Sequence, residues 1–294
     1  MSSLVLSDEE ITDKELFEIF HDLDDVSSLR RFLYGLDSSR RKPPQDAMSA
    51  LIVSKDMSTE FHDSPLTTSC RAVRPVMVGL LVDYLRDHGQ EDLVNSETKE
   101  GRTALTISSF AGDEMSVRLL LAAGADVHQV RTDGGATSLT VACQNGHIPV
   151  ILLLLAAGAD VDHIRSSTSL SYACQHNNLS VVGLLLANGA NVNLATVDEG
   201  ATPLLVASEK NHLDIVRLLL SGGADVNQAR RDGCTPLIFA CLKGHELVVD
   251  ALLEKGADLD AVGCGKTAME WARKEGHARC VALVQASIDR FARL

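Results

Sequence analysis

The sequence predicts an all-α solenoid, built of stacked helix-turn-helix units with hairpin-like loops and a helical segment capping the amino end. Three observations carry this. Six starts, TALT (103–106), TSLT (137–140), TSLS (168–171), TPLL (202–205), TPLI (235–238) and TAME (267–270), recur with first threonines 34, 31, 34, 33 and 32 residues apart. The first five are each followed about twenty residues later by Gly-Ala-Asp or Gly-Ala-Asn, at Gly124, Gly158, Gly189, Gly223 and Gly256. Between these marks the apolar residues keep helical spacing. A repeat of this length is one supersecondary unit that buries its apolar faces only against its neighbours.

Residues 1–63 read as an acidic helical extension that caps the array. Thr12-Asp13-Lys14-Glu15 resembles a capping box. Leu16, Ile19, Phe20 and Leu23, then Val26, Leu29, Phe32, Leu33 and Leu36, follow at helical spacing. Five of the eleven aromatics, Phe17, Phe20, Phe32, Tyr34 and Phe61, lie in this segment, which argues for a packed hairpin. Two prolines and three adjacent bases make 37–45 an exposed linker, and 46–53 a short helix.

The array runs from 64 to 294, with a degenerate repeat at 64–98, repeats at about 99–133, 134–165, 166–198, 199–231 and 232–262, and a capping repeat at 263–294. In the degenerate unit Pro65-Leu66, Cys70, Val76, Val78, Leu80-Leu81 and Val94-Asn95 follow the template loosely, with extra residues around Tyr84–Asp92. The repeat at 200–227 shows the logic. Thr202 caps a helix and Pro203 fits its first turn, where the missing N–H costs nothing. Leu204 and Ala207 share a face. Asn211-His212 forms a turn; Gly146, Gly244 and Gly276 stand in the place of Asn211, which predicts a left-handed backbone. Ile215, Val216, Leu218 and Leu219 form the apolar face of a second helix, ended at Gly223. The last unit closes with Val281, Leu283, Val284, Ile288 and Phe291 and solvent-facing charges at Lys274, Glu275, Arg279, Asp289, Arg290 and Arg293. The single tryptophan, Trp271, is expected as buried packing.

The Thr-Pro-Leu start, the Gly-His turn (Gly146-His147, Gly244-His245, Gly276-His277) and the Gly-Ala-Asp end, recurring in register, make the chain over roughly 64–294 resemble the ankyrin repeat family. The resemblance implies a non-catalytic protein-protein interaction module. It departs in one respect. The family has His after Thr-Pro-Leu, bonding to adjacent loops, whereas this chain has Thr106, Thr140, Ser171, Leu205, Ile238 and Glu270. The usual inter-repeat hydrogen bonds of that histidine are therefore not expected, and more of the cohesion is left to packing. The junction 162–167 lacks a glycine before Thr168, which predicts a truncated or distorted hairpin.

Composition narrows the function classes. Net charge is −13, and 1–63 carry 7 bases against 14 acids. An acidic chain without a basic stripe is a poor nucleic-acid binder, because phosphate neutralisation supplies most of that affinity. No run of eighteen apolar residues predicts a membrane span. The acidic amino end lacks a signal-peptide pattern, so an intracellular setting, cytoplasmic or nuclear, is expected. Of seven cysteines, Cys143, Cys174 and Cys241 follow the repeated Ala142, Ala173 and Ala240, and read as small core residues in a reducing compartment. Cys143 with His147, and Cys241 with His245, have an i, i+4 spacing that a metal could use, but the histidines belong to the repeated turn. No metal or cofactor is expected. Gly263-Cys264-Gly265-Lys266-Thr267 resembles the end of a phosphate loop, yet Asp260 stands where that motif needs glycine. Asn178-Leu179-Ser180 is a glycosylation triplet without a secretory route, Arg40-Arg41-Lys42 a solvated linker beside Ser38 and Ser39, and Asp22, Asp24 and Asp25 helix punctuation. A catalytic group is singular, whereas the Ser, His and Asp here recur with the repeat. The chain is read as no enzyme.

The resemblance places a partner protein on a concave surface made of hairpin tips and the exposed face of each first helix. By register the candidates are Arg102, Phe110, Gln144, Arg165, Gln175, His176, Glu209, Lys210, Arg231, Leu242 and Lys243. These positions vary between repeats while the template does not. Phe110, Arg102, Arg165, Arg231 and Leu242 rank first, since arginine, aromatic and apolar side chains make anchors when desolvated. The function read is that of an adaptor, scaffold or inhibitor. The alternative is a regulatory subunit of an enzyme whose catalytic part lies on another chain, and a third is an enzyme using 1–63.

Overall fold

The structure, a computed structural model, describes residues 64–131, 135–164 and 167–291. The readings made for 1–63, and the candidate Arg165, lie outside these residues. The chain divides into two compact units, Met1–Gly134 and Gly135–Leu294.

The first unit contains α1 (Pro65–Arg71), α2 (Pro75–Asp87), a 3-10 turn (Glu91–Asn95), α3 (Ala104–Ala111) and α4 (Glu114–Ala122). Here α1 packs on α3 and α2 on α4, so the two pairs lie side by side. The extra residues near Tyr84–Asp92 lengthen α2 to 13 residues, against 9 in α4, and then form the 3-10 turn. Leu66, Leu81, Leu85, Leu105 and Leu120 are fully buried in its core.

The second unit contains five pairs: α5 (Ser138–Asn145) with α6 (Ile148–Ala156), α7 (Ser169–Gln175) with α8 (Leu179–Ala187), α9 (Pro203–Glu209) with α10 (Leu213–Ser221), α11 (Pro236–Lys243) with α12 (Glu246–Glu254), and α13 (Ala268–Lys274) with α14 (Ala278–Phe291). First helices pack on first helices in the order α5, α7, α9, α11, α13, and α8, α10, α12 and α14 form a second row. The strands β1 (Val262–Gly263) and β2 (Lys266–Thr267) make a two-residue antiparallel hairpin before α13.

Local chemistry explains the boundaries. Thr103, Thr137, Thr168, Thr202, Thr235 and Thr267 each cap a first helix, their hydroxyls accepting the backbone N–H three residues on. Ser64 does the same for α1. Glu270 completes a reciprocal capping box with Thr267. The left-handed turns fall at Gly146, Gly244 and Gly276, and at Asn177 and Asn211 where glycine is absent. Gly244 is required twice over: its φ is +74°, and a Cβ there would lie 2.6 Å from Nδ1 of His277. Ile215, Val216 and Leu219 are buried and Leu218 half-buried, while Arg217 faces solvent.

Hydrogen bonds between repeats add to packing, and they come from the inter-helix turn and not from the position after Thr-Pro-Leu. The histidine of the Gly-His turn reaches back one repeat: Nε2 of His245 bonds Glu209 O at 3.0 Å, that of His277 bonds Leu242 O at 3.2 Å, and that of His212 approaches Gln175 O at 3.4 Å. At the same register Asn178 donates its amide to Cys143 O at 3.4 Å. In the first unit Asp113 occupies this register and instead caps α4, accepting from the backbone of Ser116.

A second ladder joins the loops after the second helices. Asn227 Oδ1 accepts the Asp258 N–H at 2.8 Å and its amide reaches Gly256 O at 3.5 Å. Asn193 makes the same pair of bonds to Asp225 and Gly223, and Asn95 to Asp126 and Gly124. Asp162 accepts from Asn191. Both ladders satisfy carbonyls and N–H groups that helix ends leave open.

Candidate protein-binding surface

The packing order of α5, α7, α9 and α11 sets the carboxyl ends of these helices at one register in the second unit. Gln144, Gln175, His176, Lys210 and Lys243 stand there, all exposed, with Glu209 and Leu242 half-buried beside them. The carbonyls of Gln175, Glu209 and Leu242 accept from the turn histidines, so the backbone under this row is held by the fold. The side chains of the five exposed residues make no hydrogen bond or ion pair with the described residues. Leu242, expected as an exposed apolar exception, is partly covered.

Lys274 extends the row on α13. Its ammonium lies 4.6 Å from the centroid of the Trp271 ring, and that of Lys266 lies 5.3 Å away. Trp271 is half-buried rather than fully packed away, because its indole N–H donates to Gly263 O at 3.1 Å and fixes the ring against the hairpin.

The hairpin tips of the same unit are bonded to one another. The Arg230 guanidinium bonds Glu199 at 2.7 Å and Asp232 at 2.5 Å, and stacks 4.8 Å from the Phe239 centroid. Its hydrogen bond, with its charge adding to it, holds the Asp232 carboxyl well below the usual carboxylate range. Arg231 is exposed, yet its guanidinium donates to Asp198 O at 2.7 Å and its backbone N–H to Glu199 O. Its side chain therefore already ties two tips together.

Arg102 and Phe110 belong to the first unit. Phe110 is 59 % exposed at the end of α3. Arg102 is half-buried in the turn that Thr98 closes: the Thr98 N–H donates to Arg102 O at 2.9 Å, and the Arg102 N–H donates to the Thr98 hydroxyl at 3.2 Å.

The thiols divide sharply. Cys143, Cys174 and Cys241 are fully buried, as their place after the repeated alanine predicts. Burial pushes Cys143 and Cys241 up to about 12, and Cys174 upward for the same reason, so these are neutral packing groups. One cluster escaped the sequence: the ligand atoms of Asp232, Cys234 and Cys264 lie within 4.8 Å of one another. Cys264 lies 30 residues beyond Cys234 and meets the other two only because the β1–β2 hairpin folds onto the preceding tip. The Arg230 guanidinium on the same Asp232 carboxylate places a positive charge beside it, which opposes a divalent cation.

No described helix is long and apolar enough to cross a membrane. A comparison with curated proteins finds no match. Among solved structures, the crystal structure of the ankyrin repeat domain of Bcl-3, described as a unique member of the IkappaB protein family, is similar at a TM-score of 0.69 and 27% identity, covering 77% of this chain and 100% of that one. The human ASB11 ankyrin repeat domain is similar at a TM-score of 0.66 and 27% identity, over 76% of this chain and 98% of that one. The family model for ankyrin repeats (3 copies) matches at 81–165, 139–230, 170–262 and 220–291. With this match over most of its length, the chain belongs to the ankyrin repeat family, whose repeats are in general protein–protein interaction modules.

Proposed function

We propose that the chain is a non-catalytic adaptor, scaffold or inhibitor that binds a partner protein on the surface of its first helices and hairpin tips, the concave side in the family. The observation that supports this reading is a division of labour within the repeat. Thr, His and Asn at template positions are spent on caps and ladders. The side chains of Gln144, Gln175, His176, Lys210 and Lys243 are exposed and serve neither purpose. Lys210 and Lys243 give the row ammonium groups in a chain of net charge −13, which suits a partner segment presenting carboxylates. Phe110 offers an apolar anchor in the first unit. Arg231 is a weaker candidate than its type suggests, because desolvating it would compete with its bond to Asp198.

The test is partner capture by the intact chain and by folded variants. Lys210→Glu with Lys243→Glu, and separately Phe110→Ala, should weaken retention of the captured partner, each truncated anchor costing about 2 kcal/mol. Arg217→Glu, on the opposite helix row, should leave it unchanged. Loss of the partner with Arg217→Glu but not with the first two variants refutes the assignment.

A further inference from the structure

We propose that Cys264 and Cys234 are an oxidisable thiol pair: a hydroperoxide oxidises Cys264, and Cys234 then closes a disulfide that ties the β1–β2 hairpin to the turn before α11. The two sulfurs lie 3.5 Å apart. A disulfide needs about 2.05 Å, so the thiols have only some 1.5 Å to close. The chains around them already touch. A Cβ on Gly263 would lie 2.5 Å from the Cα of Cys234, and one on Gly233 would lie 2.6 Å from Val262 O. Two glycines thus let the strands cross at contact distance and bring the cysteine side chains together.

The pair is built asymmetrically. Among the described cysteines Cys264 alone is exposed, and the other six are buried. It sits in the tight turn of the hairpin at φ +50°, with its N–H donating to Asp232 O at 3.2 Å and its thiol to the Asp232 carboxylate at 3.3 Å. These bonds aim the sulfur at Cys234. Cys234 is 3 % exposed, and burial together with its charged and thiol neighbours pushes it up to about 12. Oxidation therefore begins at Cys264, which solvent reaches, and Cys234 resolves it.

The chemistry balances without a cofactor. The Cys264 thiolate attacks one peroxide oxygen; an S–O bond forms, the O–O bond breaks, and the departing hydroxide takes up the thiol proton as water. Sulfur has lost two electrons and peroxide has gained them. Cys234 sulfur then attacks Cys264 sulfur, the S–S bond forms, the S–O bond breaks, and the second oxygen leaves as water with the Cys234 proton. Two thiols and one hydrogen peroxide give one disulfide and two waters. The cross-link spans two successive helix pairs and removes the freedom of the last pair to open while its neighbour stays folded.

Hydrogen peroxide applied to the reduced full-length chain tests this. After alkylation of remaining thiols and digestion without reductant, the expected product is a peptide pair joined through Cys234 and Cys264, about 2 Da lighter than its thiols combined. Oxidation should also raise the unfolding midpoint, and dithiothreitol should reverse the shift. Cys234→Ser should halt the reaction at a Cys264 sulfenic acid trapped by a 1,3-diketone probe, while Cys264→Ser, a change at an exposed position, should abolish both products in a folded chain. Recovery of both cysteines as alkylated thiols, or Cys264 passing to the sulfinic acid with no cross-link in the wild-type chain, overturns the proposal. So does stoichiometric zinc in the purified chain that Cys264→Ser removes, since that would make the cluster a metal site.

Discussion

Leu219→Ala probes the stacked core at its centre. Leu219 lies on α10 at zero exposure, in a helix that packs on α9, α8 and α12. The substitution removes three carbons, and at about 0.8 kcal/mol per buried CH2 the lost transfer energy is roughly 2.4 kcal/mol. Helices held from three sides relax little, so a cavity contribution adds to this, and Leu→Ala changes of this kind cost about 2–5 kcal/mol in all. We expect about 3–4 kcal/mol. Trp271 gives a local reporter two repeats away on α13. In a coupled array the α10 lesion should shift both the far-ultraviolet circular dichroism and the Trp271 fluorescence transition in urea. Leu247→Ala, at a residue 64 % exposed on α12, is the control and should cost under about 0.5 kcal/mol. A loss below that value for Leu219→Ala, or a Trp271 transition that does not move, would show that α10 does not carry the shared core.

Three further outcomes follow from particular bonds. Asn227→Ala deletes both ladder bonds to the Gly256–Asp258 loop and should destabilise by about 1–2 kcal/mol, read from urea melts. Amide exchange should be faster at 167–180 than at 235–249, because Asn177 holds a left-handed turn where the second segment has Gly244, and Asn178 makes a 3.4 Å bond where His245 makes a 3.0 Å one; equal protection would refute this. The Arg230 partnership depresses the folded-state pKa of Asp232, so its contribution is complete above the unfolded carboxyl value of about 4 and is lost only as pH falls below that. Asp232→Asn should therefore lower the unfolding midpoint at pH 7 and change it progressively less on acidification below pH 4; a difference that grows in acid would reverse the sign.

The repeat was legible because its marks are local. A threonine capping its own helix, an alanine followed by a buried cysteine, and a glycine ending a turn each act within a few residues, so spacing alone places them. The ladders were not read, although their residues recur just as regularly. His245 and His277 read only as turn residues, and Asn193 and Asn227 carry no local mark, because each bonds a carbonyl or N–H some thirty residues away. The signal was their period: a polar side chain kept in register in a stack is a candidate for bonding its neighbour. The candidate surface was harder still. Sequence register located Gln144, Gln175, Lys210 and Lys243 at exposed helix ends, but gave no sign that Arg231 is engaged with Asp198 or that Leu242 is partly covered. The Asp232, Cys234 and Cys264 cluster depends on a two-residue hairpin folding against a glycine-lined crossing, which no linear pattern announces.

The measurement that bears most directly on partner recognition is hydrogen–deuterium exchange of the chain alone and in complex with its captured partner. Slowed exchange is expected in peptides covering Gln175–His176, Glu209–Lys210 and Leu242–Lys243, with Leu213–Ser221 and Glu246–Glu254 unchanged. Protection confined to those second helices, with the first-helix ends exchanging as in the free chain, would contradict it.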